Sequence, residues 1–404
     1  MKKNIAILHF ASLPNIGGVE ILIDEHAKLL VNLGHQVTVI AGDGASTSPD
    51  YNMKVIPQLQ SIINTNVELQ NNIFEGKFDQ SYVDCVKVML EILQKDLKEF
   101  DTLIIHNMLS VSRNLAFTEA FHEYAKNSSQ KIIVYIHDHM YVKLDHLNLD
   151  AIRSEKEKKL LTTVIPNATY VTISHTIQKQ LAKVLPLSES DIHVVYNGIN
   201  IPEFMQISPR IWELFRSKDI LTHFPIIFSP VNIIRRKNIL YSLELVSELK
   251  KTYPDLRYII SGDTSTHFDS QDYLKQINDY ISTNQLQENI IFLKDEMDQY
   301  LKPQDVRQLY ALSDCVFYFS ASENFGLPLL EASLSKTLLF TSDLEVFKEI
   351  GNNYIKHFDT NLPAAKVAPL IEKILSEDEH QLFYKMRSQF NLEDIVRNEL
   401  APLL

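Results

Sequence analysis

The chain has 404 residues, of which 45% are hydrophobic and 22% charged, and its formal net charge is −12. This length suits two domains of about 200 residues each, and the composition is that of a globular protein and not of a disordered one. The negative charge argues against nucleic acid and anionic lipid surfaces as partners, and no apolar run approaches the roughly 20 residues of a membrane span.

Two further features indicate the compartment. Cys85 and Cys315 both lie in apolar segments, which predicts buried thiols in a reducing environment. The apolar run Ile5–Phe10 near the start is short for a signal peptide and leads into a loop with two glycines instead of a cleavage site. The expected location is therefore the cytoplasm.

Short apolar runs alternate with helical patterns through the first half of the chain. Asn4–Phe10 and Gln36–Ala41 predict strands on either side of the helix Val19–Leu33, which makes a βαβ unit. Further strands are predicted at Leu103–His106, Lys131–His137, Tyr170–Ser174 and Ile192–Tyr196. This alternation is typical of a mostly parallel sheet with helices on both faces. Residues 44–80 show little pattern and are predicted to be a variable loop region.

A break follows, where Gly198, Pro202 and Pro209 punctuate the chain. A second alternating series then begins, with predicted strands Ile226–Ile234, Leu256–Ser261, Asn289–Leu293 and Cys315–Ser320 and predicted helices Ile239–Thr252, Gln271–Asn284 and Gln304–Leu312. The sequence therefore predicts an α/β protein with two doubly wound domains, residues 1–200 and 201–387, and a helical tail over 388–404.

The most informative stretch runs from Glu323 to Glu331, where two carboxylates flank a Gly-Leu-Pro turn. It follows a predicted strand and opens a helix near Pro328, since proline suits the first helical position. The amides just before it would point from a helix N-terminus, where the dipole favours an anion: Phe325, Gly326 and Leu327. Such a turn between two carboxylates suits a ligand with phosphate and many hydroxyls, such as a nucleotide sugar. The alternative is a capped helix with acidic residues that favour its dipole.

A basic cluster, Arg235-Arg236-Lys237, precedes the predicted helix Ile239–Thr252. Cations at a helix N-terminus oppose its dipole by about 0.3–1 kcal/mol each. Three in a row predict a bound anion such as a diphosphate, and replacing either Arg236 or Lys237 is not expected to cost folding stability. The alternative is a solvated basic turn.

Several other residues stand at predicted strand ends, beyond which doubly wound sheets bind ligands. Gly17 and Gly18 allow a ligand to approach the backbone closely, although a tight turn explains them equally well. His137-Asp138-His139 ends a strand, and because alternate residues face opposite ways, this triplet argues against a metal site.

The stretch Glu323–Glu331 resembles the E-x7-E signature of retaining glycosyltransferase family 4, and the resemblance extends over most of the chain. It implies the GT-B fold, with two facing Rossmann-like domains, the first on the acceptor side and the second for the donor. The tail is then implied to fold back across the first domain. Glu323 is implied to bind sugar hydroxyls, Glu331 the ribose, and the amides of Phe325–Leu327 the sugar and diphosphate.

The resemblance also implies roles for the loop residues. Lys237 matches the family lysine, whereas the family arginine would fall at Asn232. Either Arg235 or, preferably, Arg236 then takes its place, or phosphate binding is rearranged. His137 matches a histidine close to the donor sugar and acceptor, with Asp138 as the alternative. The other implied donor-binding positions are Gly17, Gly18, Asn197, Gly198 and Gly262, the last leaving room for the base. Weaker acceptor-binding candidates are His106, Asn107 and Asp138.

These observations predict a retaining hexosyltransferase that moves a sugar from a UDP- or GDP-hexose to a hydroxyl acceptor, either a small glycoside or a glycan. No Asp-x-Asp motif, which holds the metal in the other major glycosyltransferase fold, occurs in the chain. Cations and backbone amides are therefore expected to stabilise the leaving group, with no metal or cofactor. Two other classes remain, namely a GT-B-fold sugar-nucleotide epimerase and a non-catalytic sugar-nucleotide-binding protein, which Asn232 makes conceivable.

Overall fold

A computed structural model describes residues 2–142, 154–262, 268–297 and 301–404. The chain divides into two compact units: unit 1 comprises Met1–Gly198 and Leu392–Leu404, and unit 2 comprises Ile199–Asn391. The boundaries predicted from the sequence are residues 200 and 387. Among the described helices, none is both long and apolar enough to cross a membrane.

Unit 1 is built on one parallel sheet. Its described strands are β1 Asn4–His9, β2 Gln36–Ala41, β3 Asn52–Val55, β4 Thr102–His106, β5 Lys131–Ile136, β6 Thr169–Thr172 and β7 Ile192–Val194. They are ordered β3-β2-β1-β4-β5-β6-β7. The described helices are α1 Gly18–Asn32, α2 Ile62–Thr65, α3 Val67–Phe74, α4 Gln80–Asp96, α5 Leu115–Lys126, α6 Glu155–Thr162 and α7 His175–Val184.

The core of unit 1 explains this architecture. All five residues of β4 are buried, as expected for a parallel strand that is covered on both faces. The last segment of the chain, which includes the short helix Leu392–Ile395, belongs to the same core. Its side chains pack in one cluster with Ile5 and Ile7 of β1: Leu392, Ile395, Val396 and Leu400.

The prediction that residues 44–80 form a loop is wrong. They contain the edge strand β3, the helices α2 and α3 and the first residue of α4. Three of the four β3 residues are exposed, so this strand carries no apolar run, and α2 and α3 are too short to show a clear helical period. The prediction of a buried thiol is also wrong for Cys85, which is exposed on α4, whereas Cys315 is buried. The buried face of α4 is formed by Tyr82, Met89 and Leu93, and Cys85 lies outside it.

Unit 2 is built on a second parallel sheet. Its described strands are β8 Ile226–Ser229, β9 Arg257–Ile260, β10 Ile290–Phe292, β11 Cys315–Tyr318, β12 Leu338–Ser342 and β13 Lys356–Phe358, in the order β10-β9-β8-β11-β12-β13. The described helices are α8 Ile201–Phe204, α9 Pro209–Ser217, α10 Ile239–Leu249, α11 Phe268–Thr283, α12 Leu293–Glu296, α13 Pro303–Leu312, α14 Leu327–Leu334, α15 Glu345–Gly351, α16 Ala364–Leu375 and α17 Asp378–Gln389.

Both sheets confirm the predicted α/β class with two doubly wound parallel sheets. In each sheet the chain builds outward from its first strand and then reverses direction, so β1 is paired with β4 and β8 with β11. One predicted strand is too long: Ile226–Ile234 ends at Ser229, because Pro230 follows and has no N–H to donate to a neighbouring strand. Ligands of doubly wound folds bind beyond the strand ends where the strand order reverses. The loops that follow β1, β4, β8 and β11 are therefore the expected binding sites.

Candidate active site

In unit 2, the loops that follow β8 and β11 carry the charged residues singled out in the sequence. The side chain of Glu323 accepts a hydrogen bond from Lys237 Nζ and another, at 3.0 Å, from Arg236 Nη1, both on its Oε1 atom. Lys237 Nζ also lies 3.2 Å from the hydroxyl of Tyr318, the last residue of β11. The structure therefore brings together three residues that the sequence could only assign separately.

This cluster is partly shielded from solvent. The side chains of Lys237 and Glu323 are 12% and 10% exposed, whereas that of Arg236 is 52% exposed. Burial alone would raise the pKa of Glu323, but the hydrogen bond and the positive charge of Lys237 outweigh it, and the pKa lies below its usual value. Glu323 is therefore an ionised acceptor at neutral pH, suited to hydroxyl donors.

The structure places Lys237 before the helix and not in its first turn, which removes the premise of the stability expectation for this residue. Arg235–Lys237 form a 3-10 turn, and α10 begins only at Ile239, after Asn238 with a φ of +52°. Lys237 is therefore not in the first turn of the helix, and its removal would take one partner from a nearly buried carboxylate, which destabilises a fold. Arg236 is half exposed, so its replacement is still expected to cost little folding stability.

The two arginines point to different neighbours. Arg235 forms an ion pair with Asp272 of α11 and lies over the ring of Tyr273, so Arg236 is the arginine at the Glu323 cluster.

Asn232, the position of the family arginine, lies against Gly262: a Cβ atom at residue 262 would be 2.4 Å from the Cα of Asn232. This close approach requires glycine, and a further role of Gly262 at a base stays a prediction.

The helix α14 begins with the residues predicted to hold an anion. Gly326 precedes it with a φ of +106°, which only glycine adopts readily, and a Cβ there would lie 2.8 Å from the ring of Phe347. Pro328 is the second helical residue, one later than predicted. Within the described residues the amides of Phe325, Gly326 and Leu327 donate to no acceptor, as is usual at a helix start. Glu331 accepts a hydrogen bond from Tyr310 at 2.8 Å and is otherwise exposed.

Unit 1 has a cleft of about 840 Å³ beyond the ends of β1 and β4. Four predicted residues line it, namely Gly17, Gly18, Asn107 and Asp138. His9 and Glu20 line it as well, and their side chains lie 3.6 Å apart, so that the interaction with His9 lowers the pKa of Glu20. Carboxylates, an imidazole and an amide at one cleft are groups that can bind hydroxyls of a sugar.

His106 is placed differently from the prediction, whereas the contact predicted for His137, which directly follows β5, stays a prediction. His106 Nδ1 and His137 Nε2 are 2.8 Å apart, and the two rings stack at 5.1 Å with Tyr135 beside both. His106 is fully buried, so it cannot contact an acceptor in this structure and instead holds His137. His137 is itself 6% exposed and is not among the residues that line the cleft. Asn107 Oδ1 accepts hydrogen bonds from the amides of His137 and Asp138 at 2.7 and 2.9 Å.

The turn Asn197-Gly198 lies outside this cleft. Asn197 is exposed, and a Cβ at Gly198 would lie 2.7 Å from the Cα of Leu392. Packing against the returning segment therefore accounts for this glycine, and its predicted contact with a donor stays a prediction.

Sequence reasoning missed four of the polar residues at these sites. His9 and Tyr318 are the last residues of β1 and β11, where an apolar run ends in a polar side chain. Glu20 stands in the first turn of α1. A polar residue at the end of an apolar strand or in the first turn of a helix is a signal that could have identified these three positions. Nothing in the sequence pairs Tyr310 with Glu331.

Acid is expected to destabilise unit 1. Burial lowers the pKa of His26 to about 3 and that of His137 to about 4, whereas a histidine of the unfolded chain titrates near about 6.5. Between these values the unfolded chain binds more protons, so stability is present above pH 6.5 and is lost as the pH falls, by about 1.4 kcal/mol per pH unit for each such histidine.

The measurement is the melting temperature from pH 7.5 down to pH 5 for the wild type, His26→Leu and the control His193→Leu, which replaces an exposed histidine. We expect a shallower fall for His26→Leu than for the other two proteins. Equal slopes in all three would contradict the assignment of His26 as a buried titrating group.

Comparison with known proteins gives two adjoining family matches. Residues 16–203 match the family described as Glycosyltransferase Family 4, and residues 210–390 match that described as Glycosyl transferases group 1. Mannosylglucosylglycerate synthase of Thermotoga maritima is 24% identical over 450 residues, which cover 98% of this chain and 100% of the relative. The enzyme of the same name from Petrotoga mobilis is 23% identical over 384 residues, 85% of this chain and 83% of its own.

The O-antigen chain mannosyltransferase RfbU of Salmonella typhimurium is 25% identical over 185 residues, 45% of this chain and 44% of its own. A crystal structure of a glycosyltransferase from Rickettsia africae covers 100% of this chain and 98% of its own at 21% identity, with a TM-score of 0.38. The two family matches together span most of both units, and the chain therefore belongs to glycosyltransferase family 4.

Proposed function

We propose that this protein is a retaining mannosyltransferase that uses a nucleoside-diphosphate mannose and transfers the sugar to a small glycoside. The observation that carries the proposal is the Glu323 cluster: an ionised carboxylate held by Lys237 and Arg236 at the reversal point of the unit 2 sheet. The choice of mannose rests on the names of the relatives, which include mannosylglucosylglycerate synthases and mannosyltransferases.

In the proposed reaction, the bond between the anomeric carbon and the diphosphate oxygen breaks, and a bond to the acceptor oxygen forms on the same face. The acceptor proton passes to the departing diphosphate, so no carboxylate nucleophile is needed. Negative charge grows on the leaving group, and fixed cations and amides that face it lower the barrier. Arg236 is suited to this, because it is half exposed and has N–H donors beyond the one given to Glu323.

The other residues position the donor. Glu323 would accept hydrogen bonds from mannose hydroxyls while Lys237 fixes its carboxylate. Glu331, on the exposed side of α14, would bind the ribose hydroxyls, and Tyr310 orients it. The amides of Phe325–Leu327 at the N-terminus of α14 would bind the diphosphate, as helix starts commonly do.

The acceptor is proposed to bind in the cleft of unit 1, where Glu20 and Asp138 can accept hydrogen bonds from its hydroxyls. A product called mannosylglucosylglycerate arises when mannose is added to glucosylglycerate, which makes this compound the first acceptor to test.

The test incubates the protein with GDP-mannose, UDP-glucose and other sugar nucleotides, each with glucosylglycerate, and determines the anomeric configuration of the product by NMR. We expect an α-mannoside from the α-linked donor. A β-linked product would overturn the retaining mechanism. Conversion of the donor without any acceptor would favour an epimerase, and nucleotide binding without turnover would favour a binding protein.

Transfer is expected to survive a strong chelator. The sequence has no Asp-x-Asp motif, and Lys237, Arg236 and a helix N-terminus can stabilise the leaving group without a metal. Among the described residues, one group of potential ligands has its atoms within 4.8 Å of one another, Glu377, Glu379 and His380, and it lies at the start of α17 and not after β8 or β11. Activity is measured with and without EDTA, and complete loss that a divalent ion restores would contradict the prediction.

A further inference from the structure

The cleft of unit 1 has a second set of lining residues that the proposed reaction does not use. They come from the segment 61–74, which includes α2 and α3, and from the residues just before α5: Ser61, Asn64, Gln70, Phe74 and Arg113. The two parts are joined, because the carbonyl oxygen of Arg113 accepts hydrogen bonds from the amide of Ile62 at 2.8 Å and from the hydroxyl of Ser61 at 3.3 Å. They therefore form one wall with a fixed geometry.

Gln70 is the residue of this wall that points to a ligand. It is 2% exposed, yet neither its Oε1 nor its Nε2 has a hydrogen-bond partner among the described residues. It shares the buried face of α3 with Leu69 and Ile73, so it is held in place by packing. A buried amide without partners lowers stability, and Gln70 lines the cleft, where ligand hydroxyls or oxygens could supply both bonds.

Arg113 gives the same wall a positive charge. Of the described residues that line the cleft, it is the one lysine or arginine, and it forms no ion pair with a carboxylate of that part of the chain. It stands immediately before Asn114, which caps the 12-residue helix α5, and a cation at that place opposes the helix dipole. An arginine that is kept at an unfavourable helix start, and lies over the ring of Phe10 at 6.0 Å, is suited to a bound anion.

The charges of the cleft select the kind of anion. Glu20 and Asp138 also line it, so its summed charge is not positive and a doubly charged phosphate would be repelled more than a singly charged carboxylate. An arginine fork can bind both oxygens of one carboxylate.

We propose that Arg113 and Gln70 form an acceptor subsite that binds a carboxylate on the aglycone of the acceptor glycoside. Arg113 binds the carboxylate, and the side-chain amide of Gln70 forms hydrogen bonds with neighbouring hydroxyl or ether oxygens of the acceptor. The inference rests on the proposed function and adds to it the residues that select an anionic acceptor over its neutral counterpart.

The test uses a matched pair of acceptors, glucosylglycerate and glucosylglycerol, which differ by a carboxylate in place of a hydroxymethyl group. The wild type is expected to prefer glucosylglycerate in kcat/KM by about 10- to 100-fold, the scale of a charge-assisted bidentate contact. In Arg113→Gln this preference should fall to near unity through the loss of glucosylglycerate activity alone, and Arg113→Lys should restore part of it. The control Arg397→Gln, which removes one exposed positive charge elsewhere in unit 1, should keep the full preference.

Gln70→Leu gives a second, independent measurement. The free protein should melt at the same temperature as the wild type or higher, since two buried polar atoms without partners are removed, while KM for both acceptors rises and kcat changes little. A lower melting temperature together with an unchanged KM would show that Gln70 is a structural residue and would overturn its part of the proposal.

Binding of the two acceptors by calorimetry, without any donor, separates this inference from the proposed function. If glucosylglycerate binds to the wild type and not to Arg113→Gln, the subsite stands even if no donor sugar is transferred. If transfer occurs and Arg113→Gln keeps the preference, the subsite is wrong and the proposed function stands. A preference for a phosphorylated glycoside that depends on Arg113 would replace the carboxylate with a phosphate and overturn the charge argument.

Discussion

Replacement of Lys237 by alanine is expected to reduce transfer by about 2–4 kcal/mol of transition-state stabilisation, roughly 30- to 1,000-fold in rate. Lys237 holds Glu323 directly and lies beside the exposed guanidinium of Arg236, so its removal weakens both sugar positioning and leaving-group stabilisation. Because leaving-group charge grows in the transition state, the loss should fall mainly on kcat.

The same variant should melt at a lower temperature, since Glu323 is 10% exposed and loses one of its two cationic partners. Arg236→Ala provides the contrast: a comparable loss of transfer with little change in melting temperature, because its side chain is half exposed. Arg235→Ala is the matched control, as its guanidinium pairs with Asp272 instead, and it should remain active. Full activity in the Lys237 and Arg236 variants would show that these residues form only a solvated basic turn and do not bind the diphosphate.

Glu323→Gln is expected to lower kcat/KM for transfer by about 10- to 150-fold, which corresponds to one hydrogen bond to a charged acceptor, about 1.5–3 kcal/mol. The affinity for the nucleoside diphosphate should be unchanged or slightly higher, because Lys237 and Arg236 lose the negative charge that they now bind.

Glu331→Gln should show the reverse pattern, with weaker nucleotide binding, because its proposed partner is the ribose. Calorimetry with nucleoside diphosphates and steady-state kinetics on both variants give the comparison. Should Glu323→Gln lose nucleotide affinity as much as activity, its assignment to the sugar is wrong.

The Glu323 stretch shows which features of the candidate site can be predicted from neighbouring residues in the sequence. The apolar strand, the glycine and the proline at a helix start are local features, and they located α14 to within one residue of its observed beginning. The hydrogen bonds of Glu323 to Lys237 and Arg236 join residues more than 80 positions apart, and no spacing along the chain encodes such a contact.

In unit 1, local sequence pattern predicted less of the structure than it did at the Glu323 stretch. The predicted loop 44–80 supplies an edge strand and two helices, and Gln70 lies on one of them. Short helices and an exposed edge strand carry weak periodic signals, because most of their stability comes from packing on the rest of the fold and not from their own sequence.

The sequence by itself determined the class of fold, because buried parallel strands are nearly continuous apolar runs and glycine and proline mark the turns between them. It indicated the family only through the resemblance of the stretch Glu323–Glu331 to a family signature. Only the tertiary structure decided which strand ends meet, that His106 is buried behind His137 and not open to a ligand, and that Gln70 and Arg113 belong to one wall. Strand order and side-chain burial are set by packing between segments far apart in the chain, and a pattern of neighbouring residues does not contain that information.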